Sequence, residues 1–217
     1  MKPLFSEAVV YVEADGSLAR EPLHPTEAAL AARMGAARRA EFALGRACAR
    51  RALAKLGIEN EPLLRGEARD PRWPPGVIGS LTHTEGFCAA AVARRGELLA
   101  LGLDAESAPI SPRAARRVLD DEERSRIESL GVANARDFAT LAFSAKESVF
   151  KALFPLSGRR LGFRDAALEI DPGAQGFRVV LRAGGEGALP PGARIEGRYA
   201  LTPICVITSV VVYRGGT

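Results

Sequence analysis

Lysine is nearly missing from this 217-residue chain. Of thirty basic residues only four are lysines, Lys2, Lys55, Lys146 and Lys151, and two of these fall in one short stretch. Where arginine is the default cation, a lysine points to a need for a compact charge on a flexible stem. Cysteine is equally sparse. Cys48, Cys88 and Cys205 are far apart and sit in apolar surroundings, which excludes a disulfide framework or a metal site of cysteine spacing and predicts buried free thiols in a reducing compartment. Aromatic residues amount to 6%, too few for the exposed aromatic and basic patches of a typical nucleic-acid binder. The longest apolar run, ICVITSVVVY, is interrupted and too short to span a bilayer, and MKPLFSEAVVYVE has no signal-peptide core. No membrane and no nucleic-acid partner are expected, and a cytoplasmic, monomeric protein is.

What remains is an ordinary globular composition, 47% hydrophobic and 26% charged, with a net charge of +4 that suits anionic ligands or acidic partner proteins. Periodicity predicts a strand at 8–13, helices at 26–34 and 37–56, and strands in VIGSLTH, FCAAAVA and ELLALGLDAE. The order then repeats, with helices near 111–117, 120–130 and 134–153 and strands near 166–170, 176–182, 194–200 and 204–213. Helices followed by strands, twice, predict an α+β fold of two units side by side, 1–106 and 107–217, with the seam at Ser107-Ala-Pro-Ile-Ser-Pro112.

Three clusters carry chemistry. In Gly102-Leu-Asp-Ala-Glu106, strand alternation turns Asp104 and Glu106 to one side, about 7 Å apart, and Leu101 and Leu103 to the other. Two such carboxylates repel, and a hard cation relieves them, although a solvated strand end is the plainer reading. In FSAKESVFK (143–151), Lys146 falls inside the apolar face of a helix and Glu147 on its edge. A surface Glu147–Lys151 pair or a snorkelling Lys146 would account for the charges, but not for the break in amphipathicity. In Gly79-Ser-Leu-Thr-His83 a histidine stands beside small residues and could bind a phosphate, though a lone histidine is more often structural. His24, before Pro25, reads as loop.

In this order and spacing, GSLTH, GLDAE and FSAKESVFK resemble the signature of the 4′-phosphopantetheinyl transferases of the Sfp type, nearest their enterobactin-synthetase branch. A basic helix, Arg38-Arg-Ala-Glu-Phe-Ala-Leu-Gly-Arg46, and a loop, Arg69-Asp-Pro-Arg-Trp-Pro-Pro-Gly76, extend the resemblance over about residues 36 to 155. It implies two similar α+β subdomains with pseudo-two-fold symmetry. It also implies transfer of the phosphopantetheine arm of coenzyme A to a serine of an apo acyl or peptidyl carrier protein, releasing 3′,5′-ADP. The resemblance assigns a magnesium ion to Asp104, Glu106 and Glu147, and the phosphates to Lys146 and Lys151. It assigns the 3′-phosphate of coenzyme A to His83, Arg38 and Arg46, and the neighbourhood of the adenine to Arg69. Glu147, or a metal-bound water beside Asp104, is the candidate base. Trp73 reads as packing before base stacking. The rival readings are a magnesium-dependent phosphohydrolase using the same carboxylates, a non-catalytic coenzyme A binder, and a basic nucleotide- or RNA-binding module. Siderophore, polyketide, peptide or fatty-acid synthases could each supply the carrier.

Overall fold

A computed structural model describes residues 3–66, 70–129, 135–185 and 187–215. The small and β-branched residues of Val77–Thr84 (β4) and Phe87–Arg94 (β5) form a hairpin closed at Gly86, whose φ of +73° suits glycine. Val10–Glu13 (β1) pairs antiparallel with β5, giving a three-stranded sheet in the order β1-β5-β4. A two-stranded ribbon, Leu64–Arg65 (β2) with Pro71–Arg72 (β3), stands apart. Leu98–Glu106 (β6) pairs with Val206–Tyr213 (β10). With Arg194–Leu201 (β9), Gly176–Leu181 (β8) and Ala166–Asp171 (β7) they make a five-stranded antiparallel sheet, β6-β10-β9-β8-β7.

The helices are Pro25–Ala31 (α1), Ala36–Lys55 (α2), Pro112–Val118 (α3), Asp121–Ser129 (α4) and Ala135–Ser157 (α5). His24 caps α1, accepting the Thr26 N–H, so its role is local. The last helix outruns the sequence expectation by a turn. Pro155 lies inside it, and the helix closes at Gly158, with φ +65° and its N–H on the Phe154 carbonyl.

Alternation decides the layering. Cys88, Ala90 and Val92 on one face of β5 pack on α2 through Ala47, Cys48, Ala52 and Leu53. Ala89, Ala91 and Ala93 on the other face meet Leu101, Leu103 and Ala105 of β6 and Ile207 and Val211 of β10. The opposite face of the second sheet, through Ala100, Val210 and Val212, is covered by α5. The architecture is α+β, with one long helix on the outer face of each sheet. The strand that the sequence places at the end of the first unit, β6, is laddered into the second sheet along β10. All three cysteines are free and buried, as their settings predict.

Strands β4 and β6 are the facing edges of the two sheets. The Ser80 hydroxyl bridges them by accepting the Leu103 N–H at 2.9 Å. Helix α5 can lie against this seam because residue 102 has no side chain. A Cβ there would sit 1.8 Å from the Ser148 carbonyl oxygen and 3.1 Å from the Ala152 nitrogen. Ser148 and Ser144 fix the helix laterally through hydroxyl contacts of 2.7 and 2.9 Å to Thr208 on β10. Gly102→Ala should therefore push α5 off β6 and lower stability by about 2 kcal/mol. Chemical denaturation of the two proteins checks it.

Candidate active site

The β6 face that carries Gly102 also carries Asp104 and Glu106, and the contact at Ser148 sets Glu147 and Lys151 of α5 beside them. The Lys151 ammonium reaches the seam itself. It donates to Asp104 Oδ1 at 2.8 Å, to the Leu103 carbonyl of β6 at 2.9 Å and to the Leu81 carbonyl of β4 at 3.2 Å. Asp104 is buried, and its second oxygen, Oδ2, has no hydrogen-bond partner. A buried carboxylate oxygen with nothing to bind is costly.

The electrostatics place the three carboxylates in one field. Burial, then Asp104, then Glu147 bear on the Glu106 carboxyl, which is pushed up to about 7 despite Lys151. Burial, then Asp104, raise Glu147 as well. Among the described residues no three such groups already surround a common point, and the Lys151 ammonium sits on Asp104. An open carboxylate oxygen beside two acids held above their normal range is nonetheless the donor set of a hard divalent cation, so the residues present fit one.

The Glu106 shift has a consequence for stability. The folded chain holds a proton that the unfolded chain has lost across the window between the ordinary glutamate range and about pH 7, so stability falls as pH rises through that window. Glu106→Gln removes this titration. The thermal midpoint of the wild type is expected to drop relative to the variant between about pH 5 and 8. Parallel melting curves across that range check it.

Two residues further along the open face of β4, His83 meets the amino-terminal turn of α2. Arg38 Nη1 lies 2.8 Å from His83 Nε2 and 2.8 Å from Glu41 Oε2, and Glu41 Oε2 lies 3.4 Å from the same imidazole nitrogen. A guanidinium only donates, so Nε2 accepts and the ring proton is on Nδ1. Burial, Arg38 and Lys151 outweigh Glu41 and hold the imidazole below its usual range, which keeps it neutral. Arg46, one turn beyond Phe42, is buried, with its Nε unpartnered and its guanidinium 4.4 Å from the Phe42 ring. Desolvation pulls its pKa down to about 10, so it stays charged at neutral pH. Arg65 of β2 lies over the same ring at 5.4 Å.

A cleft of about 580 Å³ runs from Glu147 and Lys151 between Gly79 and Leu81 of β4, Trp73, and an apolar wall of Phe150 and Phe154. Trp73 packs on Gly79, where a Cβ would come within 2.7 Å of the indole. It also lines the cleft, so packing and an exposed face coexist.

Lys146 is not part of this assembly, which corrects the expectation that it faces a phosphate. It is fully buried on the far side of α5, where its ammonium donates to Glu123 Oε2 and to the carbonyls of Val118 and Phe163, each at 2.8 Å. The carboxylate it requires is supplied by α4, and no donor remains for a ligand. Burial lowers its pKa while Glu123 opposes the shift. Arg69 lies outside the described residues. Glu41 and Arg65 were not singled out in the sequence, because one more charge on an arginine-rich helix or loop carries no signal.

Acidic side chains of β6 and α5 beside a lysine, with an arginine–histidine corner where α2 meets the adjoining strand β4, are equipment for a polyphosphorylated ligand. Comparison with known proteins agrees. Residues 26–93 match the 4′-phosphopantetheinyl transferase N-terminal domain, and residues 100–190 match the 4′-phosphopantetheinyl transferase superfamily. The chain is 42% identical over 195 residues to the 4′-phosphopantetheinyl transferase Svp of Streptomyces mobaraensis, covering 88% of this chain and 78% of that protein. It is 37% identical over 194 residues to the 4′-phosphopantetheinyl transferase PptT of Mycobacterium tuberculosis, covering 87% and 85%. Enterobactin synthase component D of Salmonella typhimurium is 36% identical over 124 residues, covering 54% and 49%. The chain belongs to the 4′-phosphopantetheinyl transferases. No helix among the described residues is long and apolar enough to cross a membrane.

Proposed function

We propose that this chain moves the 4′-phosphopantetheine arm of coenzyme A onto a serine hydroxyl of an apo acyl or peptidyl carrier protein, releasing 3′,5′-ADP, with Asp104, Glu106 and Glu147 holding a magnesium ion. The observation that carries this reading is the ion pair of Lys151 with Asp104 at the β4–β6 seam, beside an unpartnered Asp104 oxygen and within the electrostatic reach of Glu106 and Glu147.

The serine oxygen attacks the phosphorus that bears the arm, and the bond to the adenosine phosphate breaks, its electron pair leaving with 3′,5′-ADP. Such transfer depends on positioning and charge neutralisation. The cation, when bound, would neutralise the diphosphate and polarise it toward attack. Lys151, already at the seam, adds a donor that can turn from Asp104 to a phosphate oxygen. Glu147, raised by burial and Asp104, is suited to accept the serine proton. His83 with Arg38 and Arg46 forms the nucleotide corner. An incoming 3′-phosphate would displace Glu41 from Arg38, and its charge would favour the protonated, donating form of His83. The first 106 residues then supply the nucleotide corner and the β6 acids, and the remainder supplies the Glu147–Lys151 helix.

Intact mass of apo carrier proteins, incubated with the chain, coenzyme A and magnesium, tests the reaction. Gain of the arm's mass is expected. Breakdown of coenzyme A without any acceptor would favour a phosphohydrolase instead. For the nucleotide corner, His83→Ala should weaken coenzyme A by roughly ten- to a hundred-fold, the worth of one charge-assisted hydrogen bond. The 3′-dephospho analogue should be weakened far less. Calorimetric titration of both ligands checks it, and equal losses would discard the assignment.

A further inference from the structure

The arginine–histidine corner contains an acid for which phosphate binding has no use. Glu41 Oε2 accepts a hydrogen bond from Arg38 Nη1 at 2.8 Å and lies 3.4 Å from His83 Nε2. One carboxylate thus touches both groups that an anion would meet on this side of the corner. The hydrogen bond from Arg38 outweighs burial and holds the Glu41 carboxyl below the usual glutamate range, so the acid is charged at neutral pH. Arg46, the second guanidinium of the corner, is different. It is buried, its Nε has no hydrogen-bond partner, and it forms no ion pair among the described residues.

The Glu41 contact is built to open. The side chains of Arg38, Glu41 and His83 are 52%, 48% and 42% exposed, and an ion pair so well hydrated is held weakly. Glu41 follows Arg38 by three residues on α2, which makes the two neighbours on the helix surface. Rotation of its own side chain can therefore free the guanidinium without any movement of backbone. The carboxylate cannot go far, because it stays on the same helical turn. An anion arriving at Arg38 must first displace Glu41 and then lie beside it. Like charges a few ångströms apart repel even where water screens them.

We propose that Glu41 is a built-in competitor for the 3′-phosphate, which limits the hold of the corner on that group and so keeps 3′,5′-ADP from being retained. The inference rests on the transfer reaction and the 3′-phosphate assignment proposed above. Coenzyme A and 3′,5′-ADP carry the same 3′-phosphate, and that phosphate takes no part in the bond that breaks. Its contacts are therefore equal before, during and after transfer. Such uniform binding captures the substrate but adds nothing to turnover at saturation, and it holds the product just as firmly. Arg38, His83 and the buried Arg46 together would grip a phosphate dianion tightly. A carboxylate displaced at each arrival and restored at each departure weakens that grip by a fixed factor. Ligands without the 3′-phosphate do not meet it.

The test compares wild type with Glu41→Gln and with Glu85→Gln, a control that removes an exposed negative charge two residues beyond His83. Calorimetry gives the dissociation constants of 3′,5′-ADP, coenzyme A and 3′-dephospho-coenzyme A, and unchanged melting temperatures verify folding. Glu41→Gln is expected to tighten 3′,5′-ADP and coenzyme A by about tenfold each, and the dephospho analogue by less than about twofold. Glu85→Gln should leave all three within about twofold. A gain below about threefold for the two 3′-phosphorylated ligands would overturn the competitor. So would a loss, which would make Glu41 a support for Arg38. An equal gain for the dephospho analogue, or an equal gain in Glu85→Gln, would also overturn it, because net charge alone would then set the affinity. In each of these cases a wild type that prefers coenzyme A to its dephospho analogue keeps the 3′-phosphate assignment. A wild type without that preference would remove the assignment first, and the competitor with it.

Discussion

Glu147→Gln is expected to lower turnover by about two to four orders of magnitude while changing coenzyme A affinity only a few-fold. The substitution keeps shape and removes a charge. In the resting protein that charge is disfavoured, since burial and Asp104 both push the Glu147 carboxyl above its ordinary range, so its loss should not harm the fold. What would disappear on the proposed mechanism is a ligand for the cation and an acceptor for the serine proton, and both matter most as the hydroxyl attacks. On the proposed reading the 3′-phosphate end of coenzyme A falls to other groups, Arg38 and His83, which lie 2.8 Å apart, so much of its binding should survive. Steady-state kinetics at saturating magnesium, with a calorimetric dissociation constant for coenzyme A, separates the two effects. Unchanged turnover would remove Glu147 from the chemistry.

Lys146→Met should have the opposite signature, a loss of about 3–5 kcal/mol of stability with no specific loss of coenzyme A binding. The ammonium satisfies one carboxylate oxygen and two carbonyls in a fully buried position. Without it Glu123 stays nearly buried with its charge, held only by the N–H groups of Leu168 at 3.0 Å and Asp120 at 3.1 Å. Removing the acid together with the base should recover part of the loss, so Lys146→Met/Glu123→Leu is expected to be more stable than Lys146→Met alone. Urea unfolding of the three proteins measures this. A Lys146→Met protein as stable as wild type but deficient in coenzyme A binding would return Lys146 to the active site.

These two residues are neighbours in sequence, and they mark where sequence reading stops. Alternation along GLDAE was enough to turn Asp104 and Glu106 one way and Leu101 and Leu103 the other, because a strand has only two faces. A helix has a full circle. One residue is about 100° of turn, enough to send Glu147 to the β4–β6 seam and Lys146 to the far side. Periodicity located both against apolar neighbours but could not say which surroundings held a substrate and which held Glu123, 23 residues earlier in the chain. The pairing of β6 with β10 was hidden for a similar reason, since a ladder between residues a hundred positions apart leaves no local trace. Gly102 was visible as part of a motif. That its missing side chain admits the α5 backbone is a fact of packing. Phe150 and Phe154 line the cleft, and composition alone does not tell a cleft wall from a core face.

The proposed transfer requires one divalent ion at the carboxylates of β6 and α5. Its most direct test is manganese binding, read as loss of the free-ion paramagnetic resonance signal during titration in the presence of coenzyme A. A single site per chain is expected for the wild type, and none for the Asp104→Asn/Glu106→Gln/Glu147→Gln protein at equal coenzyme A occupancy. Equal manganese binding by both proteins would contradict it.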